Sequence, residues 1–199
     1  MYYGGDSVKH FIGIKDEEFI RGHVPMTKQE IRILTLAKAM IDDNDIIIDI
    51  GAGTGSLSIE AALLAAKGSV YAIEKKAEAI SLIKSNVEKF HVNNINVIEG
   101  EAPSALKDLP PSDVIFIGGS GSHLGEIIKN ADLLLKSKGR FIVNCITLET
   151  LHTTLKIMQN KSNYTCEAFT AQINRLNQVG QYHMSEALNP ISIITCIKS

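Results

Sequence analysis

Cysteine is scarce in this chain, basic clusters are missing, and no long apolar run occurs. Cys145, Cys166 and Cys196 are an odd number with no C-x-x-C spacing. That excludes a disulfide framework and predicts small buried hydrophobes in strands. The 20 basic and 22 acidic residues are dispersed and leave a net charge of −2. With no Lys/Arg block there is no electrostatic footprint for nucleic acid, and none is expected as a partner. No apolar run approaches the ~18 residues of a membrane span. The first residues lack a basic and then apolar leader pattern, so a cytoplasmic protein without membrane association is expected. His10, His23, His91, His123, His152 and His183 show no metal-ligand spacing, and no protein metal site is expected. At 45% hydrophobic and 21% charged residues the chain is globular rather than disordered. Its 199 residues suit one well-buried domain.

What is present centres on Asp49-Ile-Gly51-Ala52-Gly53-Thr54-Gly55. An apolar β-branched run, Ile46 to Ile48, precedes it, and a helical pattern begins near Leu57. This is strand, glycine loop, helix. Glycine lets a ligand approach the backbone, and the helix that follows aims its N–H groups at the same place. Glu74 ends the next apolar run, Val70 to Ile73, about 20 residues on, where a ribose-binding acid belongs. A dinucleotide fingerprint reads G-x-G-x-x-G. Here the glycines alternate as G-x-G-x-G behind an acid. The stretch resembles the first motif of class I S-adenosylmethionine-dependent methyltransferases.

From Ile46 onward strand and helix patterns alternate. Strands are predicted at 46–50, 69–74, 95–99, 113–118 and 140–144, and helices at 56–67, 76–91, 123–136 and 147–160. Such alternation implies a parallel sheet covered on both faces. Residues 1–25 read as irregular, and Thr27-Lys-Gln-Glu30 as a capping box opening a helix to about Met40. Tyr164–Ile173 and Ile191–Ile197 read as two consecutive strands, an antiparallel ending. Residues 174–190 between them are too long for a simple hairpin and are read as an insertion carrying function or an interface.

Further segments narrow the resemblance. Gly13 to Gly22, Val24-Pro-Met-Thr-Lys28, Ile117-Gly-Gly-Ser-Gly121, Asn144 to Thr150 and Ala187-Leu-Asn-Pro190 are similar to those of the decarboxylating cobalt-precorrin-6B methyltransferases of anaerobic cobalamin biosynthesis. The resemblance implies a Rossmann-like three-layer α/β sandwich, with a mostly parallel seven-stranded sheet and an antiparallel C-terminal strand. It implies S-adenosylmethionine as co-substrate, a cobalt-precorrin as acceptor, methylation at carbon 15 and loss of carbon dioxide from the ring C acetate. Any cobalt arrives in the substrate. It also implies a homotetramer, in the form not fused to a carbon 5 methyltransferase. The alternatives are a methyltransferase for another acceptor such as tRNA, an NAD-binding oxidoreductase, and a non-catalytic cofactor-binding module.

By the same resemblance Gly51, Ala52, Gly53, Thr54 and Gly55 wrap the donor, and Glu74 accepts hydrogen bonds from its ribose hydroxyls. Asp49 has two readings, contact with the donor's ammonium group or bracing of the glycine loop. Thr27 is a helix N-cap by pattern and a donor contact by resemblance. Ala102 packs on adenine or simply precedes a helical entry at Pro103. Ser120 and Gly121 belong to a glycine-rich loop that leaves room for a large flat acceptor, or to a plain turn. Asn144 and Thr147 face the cleft, Thr147 also reading as an N-cap. Arg175 pairs with an acceptor carboxylate or is a surface residue. His23 and His123 are further cleft candidates, and Cys145 is a nucleophile by position alone.

Overall fold

The computed structural model describes residues 12–119, 121 and 123–199. The β-branched runs become strands: β1 (Ile46–Ile50), β2 (Ser69–Glu74), β3 (Ile95–Glu99), β4 (Ser112–Ile117) and β5 (Leu135–Cys145). Helices alternate with them: α1 (Gln29–Ala39) precedes β1, followed by α2 (Ser56–Leu64), α3 (Ala77–Lys89), α4 (Leu124–Leu134) and α5 (Leu148–Gln159). The chain ends in β6 (Tyr164–Ala171), β7 (Asn174–Val179), β8 (Tyr182–Ala187) and β9 (Ile191–Lys198).

Seven strands form one sheet in the order β3-β2-β1-β4-β5-β9-β6. β1 to β5 pair in parallel, and β9 runs antiparallel to both β5 and β6. Successive side chains of a strand face opposite sides. Ile48, Ile50, Ile115 and Val143 therefore pack with α4 and α5. Ile47, Val114, Phe116 and Ile142 pack with α1, α2 and the segment carrying Phe19 and Met26. Strand order reverses between β1 and β4, so a crevice opens at the carboxyl ends there, where such sheets bind ligands.

Three expectations are corrected. Residues 174–190, read as too long for a simple hairpin, hold one: β7 and β8 pair antiparallel as a separate two-stranded hairpin. Cys166 and Cys196 lie opposite each other on β6 and β9 and are joined by a disulfide, while Cys145 is free and buried. Spacing along the chain conceals that pair, because strand register alone brings it together. Thr27 is not the cap of α1: Lys28 holds that position without a side-chain bond, and the Gln29 N–H donates instead to Asp16 Oδ1 at 2.9 Å. The predicted helix limits also run long, α2 ending at Leu64 and α4 at Leu134. No described helix is long and apolar enough to cross a membrane.

Candidate active site

β1 delivers the chain into a loop whose glycines 51, 53 and 55 all have positive φ, of 77°, 58° and 77°. Gly51 and Ala52 N–H both donate to the Ile73 carbonyl, at 2.9 and 3.0 Å. This ties the loop to the end of β2. Glu74 completes the turn, one oxygen accepting from Gly53 N–H at 3.0 Å and the other from Lys75 and Lys76 N–H at 2.8 and 3.0 Å. The loop after β4 presses against the same place. A Cβ built on Gly51 would lie 2.8 Å from the Gly119 nitrogen. Two stretches of bare backbone thus form the floor of the crevice.

Asp49 sits beneath this floor, buried, accepting a 2.5 Å hydrogen bond from Ser58 of α2. It braces the helix behind the loop rather than the loop's own N–H groups. Burial pushes its carboxyl up to about 6, against the lowering effect of the Ser58 bond and with a smaller push from Glu74.

Above the floor lies a cleft of about 630 Å³. Thr27, Gly51, Ala52, Gly53, Glu74, Ala102, Gly121 and Asn144 line it. Asp49, Thr54, Gly55, Thr147 and Arg175 are not among its lining residues. Thr54 is buried, its carbonyl accepting from Asn86 and its hydroxyl without a partner. Gly55 is the residue before α2, closely backed by Ile83. Thr147 caps α5, its Oγ1 accepting from Thr150 N–H at 3.2 Å. Arg175 grips this chain's own acids, Glu30 at 2.7 and 2.9 Å and Asp16 at 2.9 Å, rather than standing free at the surface. Ser120 lies outside the described residues, as does His10. His23 and His123 do not line the cleft. Burial pushes the Cys145 thiol up to about 11, so it stays protonated at neutral pH, unlike an activated nucleophile.

Asn144, at the end of β5, meets Thr35 of α1. The Thr35 hydroxyl is 2.7 Å from the Ile31 carbonyl and 3.2 Å from the Asn144 amide. One hydroxyl proton serves one acceptor, and the shorter contact takes it. The amide must then turn its NH₂ to Thr35, which leaves its carbonyl oxygen for another donor.

The sequence reading missed two walls of this cleft. Val24, Pro25, Met26 and Lys28 run along one side, with the Pro25 carbonyl 3.1 Å from where a Cβ on Gly53 would stand. Ile173, Leu188, Asn189 and Ile191, flanking the hairpin, form a further part of the lining. Val24–Lys28 and Ala187–Pro190 stand out only as segments resembling the family, and Ile173 and Ile191 only as ends of predicted strands, so apart from Thr27 neither stretch was placed at the cleft.

Residues 18–198 match the family model described as a precorrin methyltransferase domain. The chain belongs to the precorrin methyltransferase family. A Sulfurisphaera tokodaii relative named "Probable cobalt-precorrin-6B C(15)-methyltransferase (decarboxylating)" is 44% identical over 185 residues, covering 92% of this chain and 95% of its own. The Salmonella typhimurium cobalt-precorrin-6B C(15)-methyltransferase (decarboxylating) is 38% identical, over 93% of this chain and 96% of its own. Among solved structures, the precorrin-6Y C5,15-methyltransferase of Geobacter metallireducens superimposes with a TM-score of 0.89 at 39% identity, covering 94% of this chain and 98% of that one. In this family member the glycine loop, Glu74 and the loop after β4 occupy the carboxyl ends of β1, β2 and β4. The expected class I methyltransferase fold is present.

Proposed function

We propose that this protein transfers a methyl group from S-adenosylmethionine to carbon 15 of cobalt-precorrin-6B and decarboxylates the ring C acetate, giving cobalt-precorrin-7. The observation that carries this is the near full-length identity to the Salmonella protein named for that reaction. The residues fit the donor. The floor is bare backbone with no room for a Cβ at Gly51, and an acid stands at the end of β2. When bound, S-adenosylmethionine supplies a methyl group activated by its sulfonium. Gly51, Ala52 and Gly53 would hold its methionyl and ribose portions. Glu74 already accepts three backbone bonds of about four that a carboxylate can take, leaving one position for a ribose hydroxyl. Ala102, small and cleft-lining, would pack on the adenine, and Thr27, also cleft-lining, would contact the donor.

The acceptor side is mostly apolar, with Ile146, Ile173, Leu188 and Ile191, and the Asn144 amide as a polar point. These residues would exclude water and hold the accepting carbon about 3–3.5 Å from the methyl group. The macrocycle supplies the carbon nucleophile and the electron sink, so the chain needs no strong base. Its part in decarboxylation would be to move the acetate into a poorly solvated position. Ser120 and Gly121 would leave room for the flat acceptor. A cytoplasmic, homotetrameric enzyme is part of the same proposal. The hairpin supports assembly, since Leu176, Val179, Tyr182 and Met184 are all exposed on it and a lone two-stranded ribbon is marginally stable in water.

The test is a single-turnover assay with methyl-labelled donor and cobalt-precorrin-6B, read by mass spectrometry on material whose mass is known from sedimentation. Gain of one methyl with loss of carbon dioxide is expected, from a tetramer. Methyl gain alone would move the decarboxylation elsewhere. No change, with donor binding intact, would overturn the acceptor, and a monomer would remove the assembly.

Asp49 gives a second check. A carboxyl pushed up to about 6 is half protonated near that pH, and a cation seated above it favours the charged form. Donor binding at pH 6 is therefore expected to release about half a proton, falling toward zero at pH 8. Calorimetry in buffers of different ionisation enthalpy reads this directly. A buffer-independent heat at pH 6 would remove Asp49 from the donor's surroundings.

A further inference from the structure

Residues 13–28 cross the outside of the fold without belonging to the sheet, and side chains of three helices tie them down. Glu60 of α2 accepts from Gly13 N–H at 2.5 Å. Arg32 of α1 donates to the Thr27 carbonyl at 2.5 Å and to the Ile14 carbonyl. Asn86 of α3 exchanges bonds of 2.8 and 3.1 Å with the backbone of Ile20, and Glu78 accepts from His23 N–H at 2.9 Å. This strap lays Val24 to Lys28 along the cleft and sets the Pro25 carbonyl against Gly53.

A second stretch of the cleft lining, Ile173, Leu188, Asn189 and Ile191, flanks the β7–β8 hairpin. Among the described residues, Arg175 is the one hairpin residue whose side chain bonds to the rest of the fold. Its Nε and Nη2 fork onto the two oxygens of Glu30 at 2.9 and 2.7 Å, and Nη2 also meets Asp16 Oδ2 at 2.9 Å. Asp16 belongs to the strap, and its other oxygen accepts from Arg32 and from the first N–H of α1, both at 2.9 Å. Glu30 is in the first turn of that helix. One guanidinium thus connects the hairpin wall to the strap wall through two acids.

We propose that Arg175 is a positioning residue of the donor site: by tying the root of the hairpin to Asp16 and Glu30 it holds the strap closed over the glycine loop, so that the donor and acceptor walls set one another's position. The inference rests on the methyl-donor reading of the cleft for its binding consequence, though not for its mechanical one. A guanidinium fork is suited to the role because it fixes two carboxylates in a plane, which an ammonium does not.

The experiment compares the full chain with Arg175→Ala and Arg175→Lys in two measurements. The first is hydrogen exchange of residues 13–28 and 173–191 without ligand. The second is calorimetric affinity for S-adenosylmethionine. Arg175→Ala is expected to speed exchange in both segments while the β1, β4 and β5 amides keep their protection. It is also expected to weaken donor binding by about fivefold or more. Arg175→Lys is expected to fall between the two. Steady-state kinetics should then show KM for the donor rising by more than kcat falls. Unchanged exchange in residues 13–28 would overturn the coupling, and so would acceleration spread evenly over the sheet, which marks global destabilisation. If the parent chain binds no S-adenosylmethionine, the methyl-donor reading fails, and the exchange comparison still decides whether Arg175 holds the two walls together.

Discussion

Gly51→Ala is expected to destabilise the fold and weaken donor binding together. The residue has φ of 77°, a conformation that costs an L-side chain about 1–2 kcal/mol. The added Cβ would also stand 2.8 to 2.9 Å from the nitrogen, Cα and carbonyl oxygen of Gly119. All three are backbone atoms, so no side chain can swing away. Overpacking of this kind adds about 1–3 kcal/mol. The two sums act at the junction between the loop after β1 and the loop after β4. Any relaxation therefore lifts the floor on which the methyl donor would rest, and affinity is expected to fall by about 100-fold, some 3 kcal/mol. Gly121→Ala is the control. Gly121 also has positive φ, 52°, but nothing lies within 4 Å of its added Cβ. It should incur the conformational cost alone and leave donor affinity within about threefold. Thermal unfolding and donor titration of both variants make the comparison. Equal affinity losses would mean that close approach of the two loops is not what Gly51 provides.

The parts of this site that can be read from the sequence are those made by neighbours in the chain. Ile46 to Ile50, Gly51 to Gly55 and the onset of α2 form one continuous strand-loop-helix, so their order already states their geometry. Glu74 is legible for the same reason, standing at the end of the next strand in a parallel pair. The rest depends on contacts between distant segments. Asp16 caps α1 from 13 positions away, while the local capping box at Thr27 goes unused. Arg175 reaches Glu30 across 145 positions, which turns a residue that looked free for a substrate carboxylate into an internal tie. The strap has no hydrophobic period because its backbone is bonded by side chains of α1, α2 and α3 rather than by a ladder. The Cys166–Cys196 disulfide was hidden likewise, its partners set by the register of β6 on β9.

Arg32 of α1 is the buried anchor of that strap, and its loss is expected to have the larger effect on stability. The side chain is fully buried, with Nε 2.6 Å from Glu60, Nη1 2.9 Å from Asp16, and the guanidinium 4.7 Å from the centre of the Phe19 ring. Burial works to raise the Asp16 carboxyl, but hydrogen bonds from Arg175 and Arg32 outweigh it and hold the group below the ordinary carboxylate range. Arg32→Met keeps much of the volume and removes the cation, leaving buried Asp16 with Arg175 alone and buried Glu60 with no cation among the described residues. Breaking a buried pair from one side costs about 3–5 kcal/mol. The pH dependence has a definite sign. In the parent, Asp16 contributes stability above its ordinary pKa and loses it as pH falls through its lowered value. In the variant the carboxylate is a cost that protonation relieves. The gap in unfolding free energy should therefore be widest near pH 7.5 and narrow toward pH 4.5, as denaturant titrations at the two values would show. A gap independent of pH would mean that Arg32 acts through packing on Phe19 and the Thr27 and Ile14 carbonyls rather than through its charge.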